Sequence, residues 1–146
     1  MYEPIRTKSV HTMAEPEFPH RSRGEELDIQ LAGHLAALLA VTDELRALPA
    51  DAGGGPGSEL DPAADRIAEQ VARLRRGRRP VRSTAPGGAG AARADTLHRR
   101  AHALAGRALV VAASRADTAA AILAAERMDA HAAALDVTSA ALSAAH

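Results

Sequence analysis

From residue 24 onward the chain alternates apolar and polar positions with a helical period. Leu27, Leu31, His34, Leu38, Val41, Leu45 and Leu48 follow alternating steps of four and three, the seam of a packed helix. Leu35 and Leu39 widen that seam into a face broad enough for a globular core. Glu25, Glu26 and Asp28 place negative charge in the first turn, where the helix dipole favours it, and Pro49 with the glycines between Gly53 and Gly57 stops the run. A helix over about 25–48 is predicted.

Asp61 followed by Pro62 reads as an N-cap with proline at the first helical position. Ala64, Ile67, Ala68, Val71 and Leu74 supply the apolar stripe, and Glu69 and Arg73 form an i to i+4 pair. Arg75 and Arg76 suit the negative end of the dipole and Gly77 the left-handed C′ position, which predicts a second helix over about 61–76.

A third pattern starts at Asp95 or Thr96. Leu97, Leu104, Ala105, Leu109, Val110, Val111, Ala116, Ile122 and Leu123 occupy most of its helical wheel, leaving a polar strip through Arg100, Arg107, Ser114 and Thr118. Unbroken to Leu135 this helix would be about 60 Å long against about 36 Å for the first. The excess needs a partner. Either two chains pair over it, or the chain turns near Ser114, where Ser114-x-x-Asp117 resembles a capping box. The run holds no proline and only Gly106, which favours the continuous helix.

The expected fold is therefore all-α: a three-helix up-down-up bundle with a long C-terminal helix over about 95–135. A four-helix bundle turning near Ser114 is the alternative. Residues 1–23, with Pro4, Pro16 and Pro19, read as a flexible extended tail whose Tyr2 and Phe18 could dock on a partner. Residues 24–136 form the single bundle domain, with linkers at 49–60 and 77–94, and 137–146 is expected to fray. Gly33 and Gly106 inside helices suggest close helix contact at those points, so that Gly33→Leu would overpack.

Composition narrows the function classes. Aromatic residues are 1%, so the core is built from Leu, Ile, Val and Ala, and a thin core of this kind invites a second chain. A formal net charge of +0 provides no whole-molecule field toward nucleic acid or an anionic membrane. Without cysteine there is no disulfide, thiolate nucleophile or Cys-ligated metal. No apolar run approaches the roughly 20 residues that span a bilayer, and a cytoplasmic location is expected. Neither glycine cluster, at Gly53–Gly57 or Gly87–Gly90, is followed by Lys-Ser/Thr, so no phosphate loop and no cofactor are expected.

Two constellations could carry chemistry. His98 and His102 project from one helical face, the spacing by which two imidazoles share a metal. If the first and third helices run parallel, His34 lies at the same height, and Glu69 on the second helix completes a possible zinc or other divalent site. The sequence lacks the second-residue Glu of H-E-x-x-H.

The other constellation is basic: Arg73, Arg75, Arg76, Arg78, Arg79 and Arg82, which could follow a phosphate backbone or another polyanion. It has no interleaved aromatics and no recognition-helix spacing, so nucleic acid is not the expected partner. Asp43 and Glu44 point about 100° apart and form no carboxylate pair. With no catalytic motif, the expectation is a non-enzymatic helical interaction or regulatory module, a homodimer through its long C-terminal helix, with an unknown protein partner. A histidine-based metal- or small-ligand-binding bundle, and an anion-binding protein, are the alternatives.

Overall fold

Ser22 starts the first helix. Its Oγ accepts a hydrogen bond from the Glu25 backbone N–H at 3.1 Å, and α1 runs from there over Arg23–Arg46. The computed structural model describes residues 21–55, 57–82 and 90–144, with the backbone alone for 141 and 142. The expected tail lies, up to residue 20, outside the described residues. The leucine seam is the core: Leu31, Leu35, Leu38, Leu39 and Leu45 of α1 are buried completely or nearly so. Each such leucine contributes about 1.5–3 kcal/mol relative to an exposed one.

After Arg46 the chain makes a 3₁₀ turn, Ala50–Ala52, and folds back over the end of α1. The Gly54 N–H donates to the Pro49 carbonyl and the Gly55 N–H to the Arg46 carbonyl. A Cβ at Gly54 would overlap the carbonyl oxygens of Leu45 and Leu48, so this turn tolerates no side chain there.

Helix α2 spans Leu60–Leu74. Asp61 does not cap it. Its carboxylate accepts the Gly57 N–H at 3.1 Å and the Arg46 Nε–H at 2.8 Å, tying the start of α2 to the end of α1. The Arg46 hydrogen bond, then the Gly57 one, hold this carboxyl below its ordinary range. The helix ends two residues earlier than the pattern predicts, because Arg76 (φ 56°), and not Gly77, takes the C′ position. The Gly77 N–H bonds to the Ala72 carbonyl at 2.7 Å and the Arg76 N–H to that of Arg73, the Schellman arrangement.

The expected long helix is two helices, α3 over Gly90–Arg115 and α4 over Thr118–Ala144. Between them Ala116 adopts a left-handed conformation (φ 57°). The Asp117 N–H bonds to the Ala112 carbonyl at 2.9 Å, a second Schellman end, and the Asp117 Oδ1 then accepts the Ala120 N–H as N-cap of α4. Ser114 takes no part as a cap, since its hydroxyl donates back to the Val110 carbonyl. The turn is thus made at the place the alternative reading named, by Asp117 alone. At the far end the helix continues past Val137 to Ala144, where fraying was expected.

Ion pairs between helices fix their directions. Arg93 meets Glu44 and Arg115 meets Asp28, so α3 is antiparallel to α1 and not parallel to it as expected. Arg66–Glu126 and Arg73–Asp117 make α4 antiparallel to α2. The order around the bundle is α1, α2, α4, α3, with broad α1–α2, α1–α3 and α3–α4 interfaces and a narrow α2–α4 one. Up-down-up is replaced by up-down-down-up.

This order requires the chain to climb back between α2 and α3. Eight residues from Leu74 to Arg82 can reach about 26–29 Å when extended, enough to retrace the roughly 22 Å of α2. Arg82 anchors the climb: its guanidinium donates to both carboxylate oxygens of the buried Asp43, at 3.0 and 2.8 Å.

The molecule is an all-α four-helix bundle, and among the described residues no helix is long and apolar enough to cross a membrane. Gly33 does not mediate a close contact. It is exposed, and among the described residues nothing lies within 4 Å of a Cβ built there, so the expected overpacking by Gly33→Leu does not apply. Gly106 does lie against a neighbour, the end of Met128 on α4.

A buried histidine and arginine network as candidate functional site

On the inward face of α4, Ala120, Leu123 and Ala124 continue into Arg127 and His131 at helical spacing. Both polar side chains are buried, Arg127 with 2% of its surface exposed and His131 with 1%. Arg127 reaches from the core to the turn before α2, where its two terminal nitrogens donate to the Glu59 carboxylate at 2.9 and 3.2 Å. Its Nε is buried without a hydrogen-bond partner among the described residues.

The same guanidinium donates through Nη2 to His131 Nε2 at 3.3 Å, and His131 Nδ1 lies 2.9 Å from Nδ1 of His98 on α3. Because a guanidinium can only donate, His131 Nε2 must be a bare acceptor. Neutral His131 therefore carries its proton on Nδ1 and donates it to His98 Nδ1. His98 in turn keeps its proton on Nε2. With neutral rings in these orientations, the chain Arg127 to His131 to His98 runs in one direction.

Electrostatics favour the neutral rings. Burial first, then the charge of Arg127 and the neighbouring His98 and His102, push His131 down to about 3. Burial, followed by Arg127, also lowers His98, against opposing contributions from Asp95 and Glu59.

His98 is half-buried and its Nε2 has no hydrogen-bond partner among the described residues. It lines a cavity of about 330 Å³. The walls are Asp51, Ala52 and Gly53 from the 3₁₀ turn, Ala91 and Ala94 from α3, and Ala134, Val137 and Thr138 from α4. The surface is mostly apolar. A larger hollow of about 570 Å³ opens on the other flank of the α3–α4 seam, where Asp95 and Arg99 are already paired with each other at 2.8 Å. The smaller cavity is the one the network feeds.

The expected metal set does not assemble. Among the described residues no three His, Cys, Asp or Glu side chains converge to hold an ion. His34 is half-exposed on α1 and Glu69 exposed on α2, and neither makes a hydrogen bond or ion pair among the described residues. The predicted Glu69–Arg73 pair is absent, since Arg73 donates to Gln70 and to Asp117. His102 stays beside the network without a hydrogen bond among the described residues. Antiparallel α1 and α3 remove the assumed register, and α4 brings His131 to His98 in place of His34.

The basic cluster is likewise divided. Arg73 is paired with Asp117, Arg82 with Asp43, and Arg76 forms the left-handed turn. Arg75, Arg78 and Arg79 make no ion pair among the described residues.

Sequence reasoning missed Glu59, Arg127 and His131. The available signal was that the apolar stripe of Ala120, Leu123 and Ala124 continues into two polar residues where a core face calls for apolar ones. No family model, curated protein or solved structure matches the chain, so a functional reading has to stand on the geometry of these four side chains and the cavity beside them.

Proposed function

We propose that the chain is a non-enzymatic binding bundle that holds a small, largely apolar molecule in the cavity beside His98. The observation that carries this reading is the buried network itself. Desolvating a guanidinium and an imidazole is expensive, and a well-packed apolar side chain would serve stability as well or better. A use for His98 accounts for the expense. The arrangement supplies orientation: His98 Nε2 presents a proton donor to the cavity, beside the Asp51 carboxylate and the Thr138 hydroxyl, which itself donates to the Ala134 carbonyl.

Titration with cyclohexanol, which both donates and accepts hydrogen bonds, tests the cavity as a site. Saturable shifts at the amides of Ala91, Ala94, His98 and Ala134 are expected, with their loss in Val137→Trp, where a larger ring at an exposed rim position blocks entry. Shifts that scatter over the bundle, or persist in that variant, would contradict the reading.

A second reading keeps the homodimer but moves it. The α3–α4 turn removes the overlong helix on which self-association was expected, and Leu104 and Leu123 are buried within one chain. Val110 and Ile122 stay 66% and 56% exposed. Ile122 flanks a shallow groove walled by Ala112, Ala113, Ala116, Ala121 and Ala125. Knob and hole on one face are what an isologous pair of identical chains requires. Light scattering would show a dimer that Ile122→Asp abolishes, and a monomer at high micromolar concentration would remove this reading.

A further inference from the structure

The cavity has a polarity that its walls alone do not reveal. We infer that Arg127, acting through His131, fixes His98 as a hydrogen-bond donor, so that its Nε2–H takes a carbonyl or carboxylate oxygen of a small ligand and neither coordinates a metal ion nor accepts from an ammonium group. This inference rests on the proposed binding role of the cavity and names the chemistry that role would select.

For His98 to bind a metal or accept a proton at Nε2, its own proton would have to sit on Nδ1. That proton would point at His131 Nδ1, 2.9 Å away, which would then have to be bare. His131 would carry its proton on Nε2, directed at the Arg127 N–H at 3.3 Å. Two donors would then face each other in a water-poor interior, where an unmade hydrogen bond costs about 1–3 kcal/mol. The only other way to a bare Nε2 is an anionic imidazole.

Arg127 is thus a positioning residue. It touches no ligand, lies one side chain removed from the one that does, and sets that side chain's polarity in the way outer ligands orient metal-bound histidines. The shared ligand chemistry is an acceptor oxygen on a compact apolar body. A neutral ketone or amide and a carboxylate differ only in charge, and Asp51 at the cavity wall favours the neutral form.

The test compares cyclohexanone, cyclohexanecarboxylate, cyclohexylammonium and Zn²⁺ on the full chain, reading the ¹⁵N and ¹H resonances of the His98 ring. In the wild type the ketone, and more weakly the carboxylate, shift the His98 Nε2–H signal, while the ammonium and Zn²⁺ leave it in place. In Arg127→Met the tautomer is released and Zn²⁺ affinity at His98 rises about tenfold or more. Arg127→Lys, which retains a donor, keeps the wild-type pattern. Zn²⁺ or the ammonium acting on wild-type His98 as strongly as the ketone would overturn the inference and leave the cavity's role as a site intact. Failure of cyclohexanol itself to reach His98 would overturn the binding role. The wild-type comparisons decide the matter whether or not a variant folds.

Discussion

The inward faces of α1 and α4 do opposite work in one small bundle. That of α1 is a leucine seam, Leu31, Leu35, Leu38, Leu39 and Leu45, beside which Thr42, bonded to the Leu38 carbonyl, and Asp43, held by Arg46 and Arg82, are the buried polar residues. That of α4 begins with Ala120, Leu123 and Ala124 and turns into Arg127 and His131. The first face stabilises by area removed from water. The second holds groups that prefer water and pairs them with Glu59, His98 and each other, leaving Arg127 Nε without a partner among the described residues. Where burial is apolar, sequence and stability agree; where it is polar, the structure spends stability on a defined hydrogen-bond direction.

If that contrast is right, truncating the two faces has unequal consequences. Leu35→Ala should lower unfolding stability by about 2–5 kcal/mol in urea titrations, the range for fully buried leucines. Arg127→Met should cost less, about 1–3 kcal/mol, because Glu59 is exposed, the thioether fills apolar space, and only His131 Nε2 loses its donor in the interior. A large loss in Arg127→Met would mean that the network is a structural support after all.

The polar face should also impose a pH dependence that the leucine face cannot. His131 titrates near 3 when folded and near the ordinary 6.5 when unfolded, so below about pH 6.5 the unfolded chain binds a proton the native one refuses. Stability is therefore full above that pH and declines toward pH 3, with a limiting slope of about 1.4 kcal/mol per pH unit for this proton. His98 is shifted in the same direction and adds to the slope. His131→Leu should flatten the curve, measured as the denaturation midpoint from pH 7.5 to pH 4.5.

Two smaller changes concern backbone rather than faces. Ala116→Gly should stabilise the bundle by about 1 kcal/mol, since it relieves a left-handed alanine at the α3–α4 turn. Gly33→Ala should stabilise by about 0.5–1 kcal/mol, because Gly33 sits in a helix with open space around it. Thermal melts of both variants would show higher midpoints. A lower midpoint for Ala116→Gly would indicate that the turn derives its conformation from contacts of that methyl group.

These cases also show what was legible in the sequence. The seam of α1 and the stripe of α2 could be read because one periodic face meets one core. The turn at Ala116 could be read only as the alternative near Ser114, because the residue that adopts the left-handed conformation is alanine and the usual glycine signal is absent. The all-round apolar pattern from Leu97 to Leu123 did state that burial on several sides was needed. A second chain and a fold-back satisfy that statement equally well, and the chain folds back.

Helix direction was hidden for a related reason. A linker rich in arginine, proline and glycine does not encode whether it turns at one end or climbs the bundle, and the pairing of Arg82 with Asp43 that decides it spans 39 residues. The histidine site inherited that error. The spacing of His98 and His102 draws attention to His98, an assumed register places His34 and Glu69 beside it, and its actual neighbours, His131 and Arg127, read only as polar interruptions in an apolar stripe. Ser22-x-x-Glu25, which the expected tail of residues 1–23 absorbs, is the unread cap of α1.

The direction of the buried hydrogen-bond chain is most directly read from the histidine ring nitrogens of uniformly ¹⁵N-labelled protein near pH 7.5, in a long-range ¹H–¹⁵N correlation spectrum. The account predicts two neutral rings of opposite kind, His131 protonated on Nδ1 and His98 on Nε2. Finding His98 with its proton on Nδ1, or either ring charged at that pH, would contradict it.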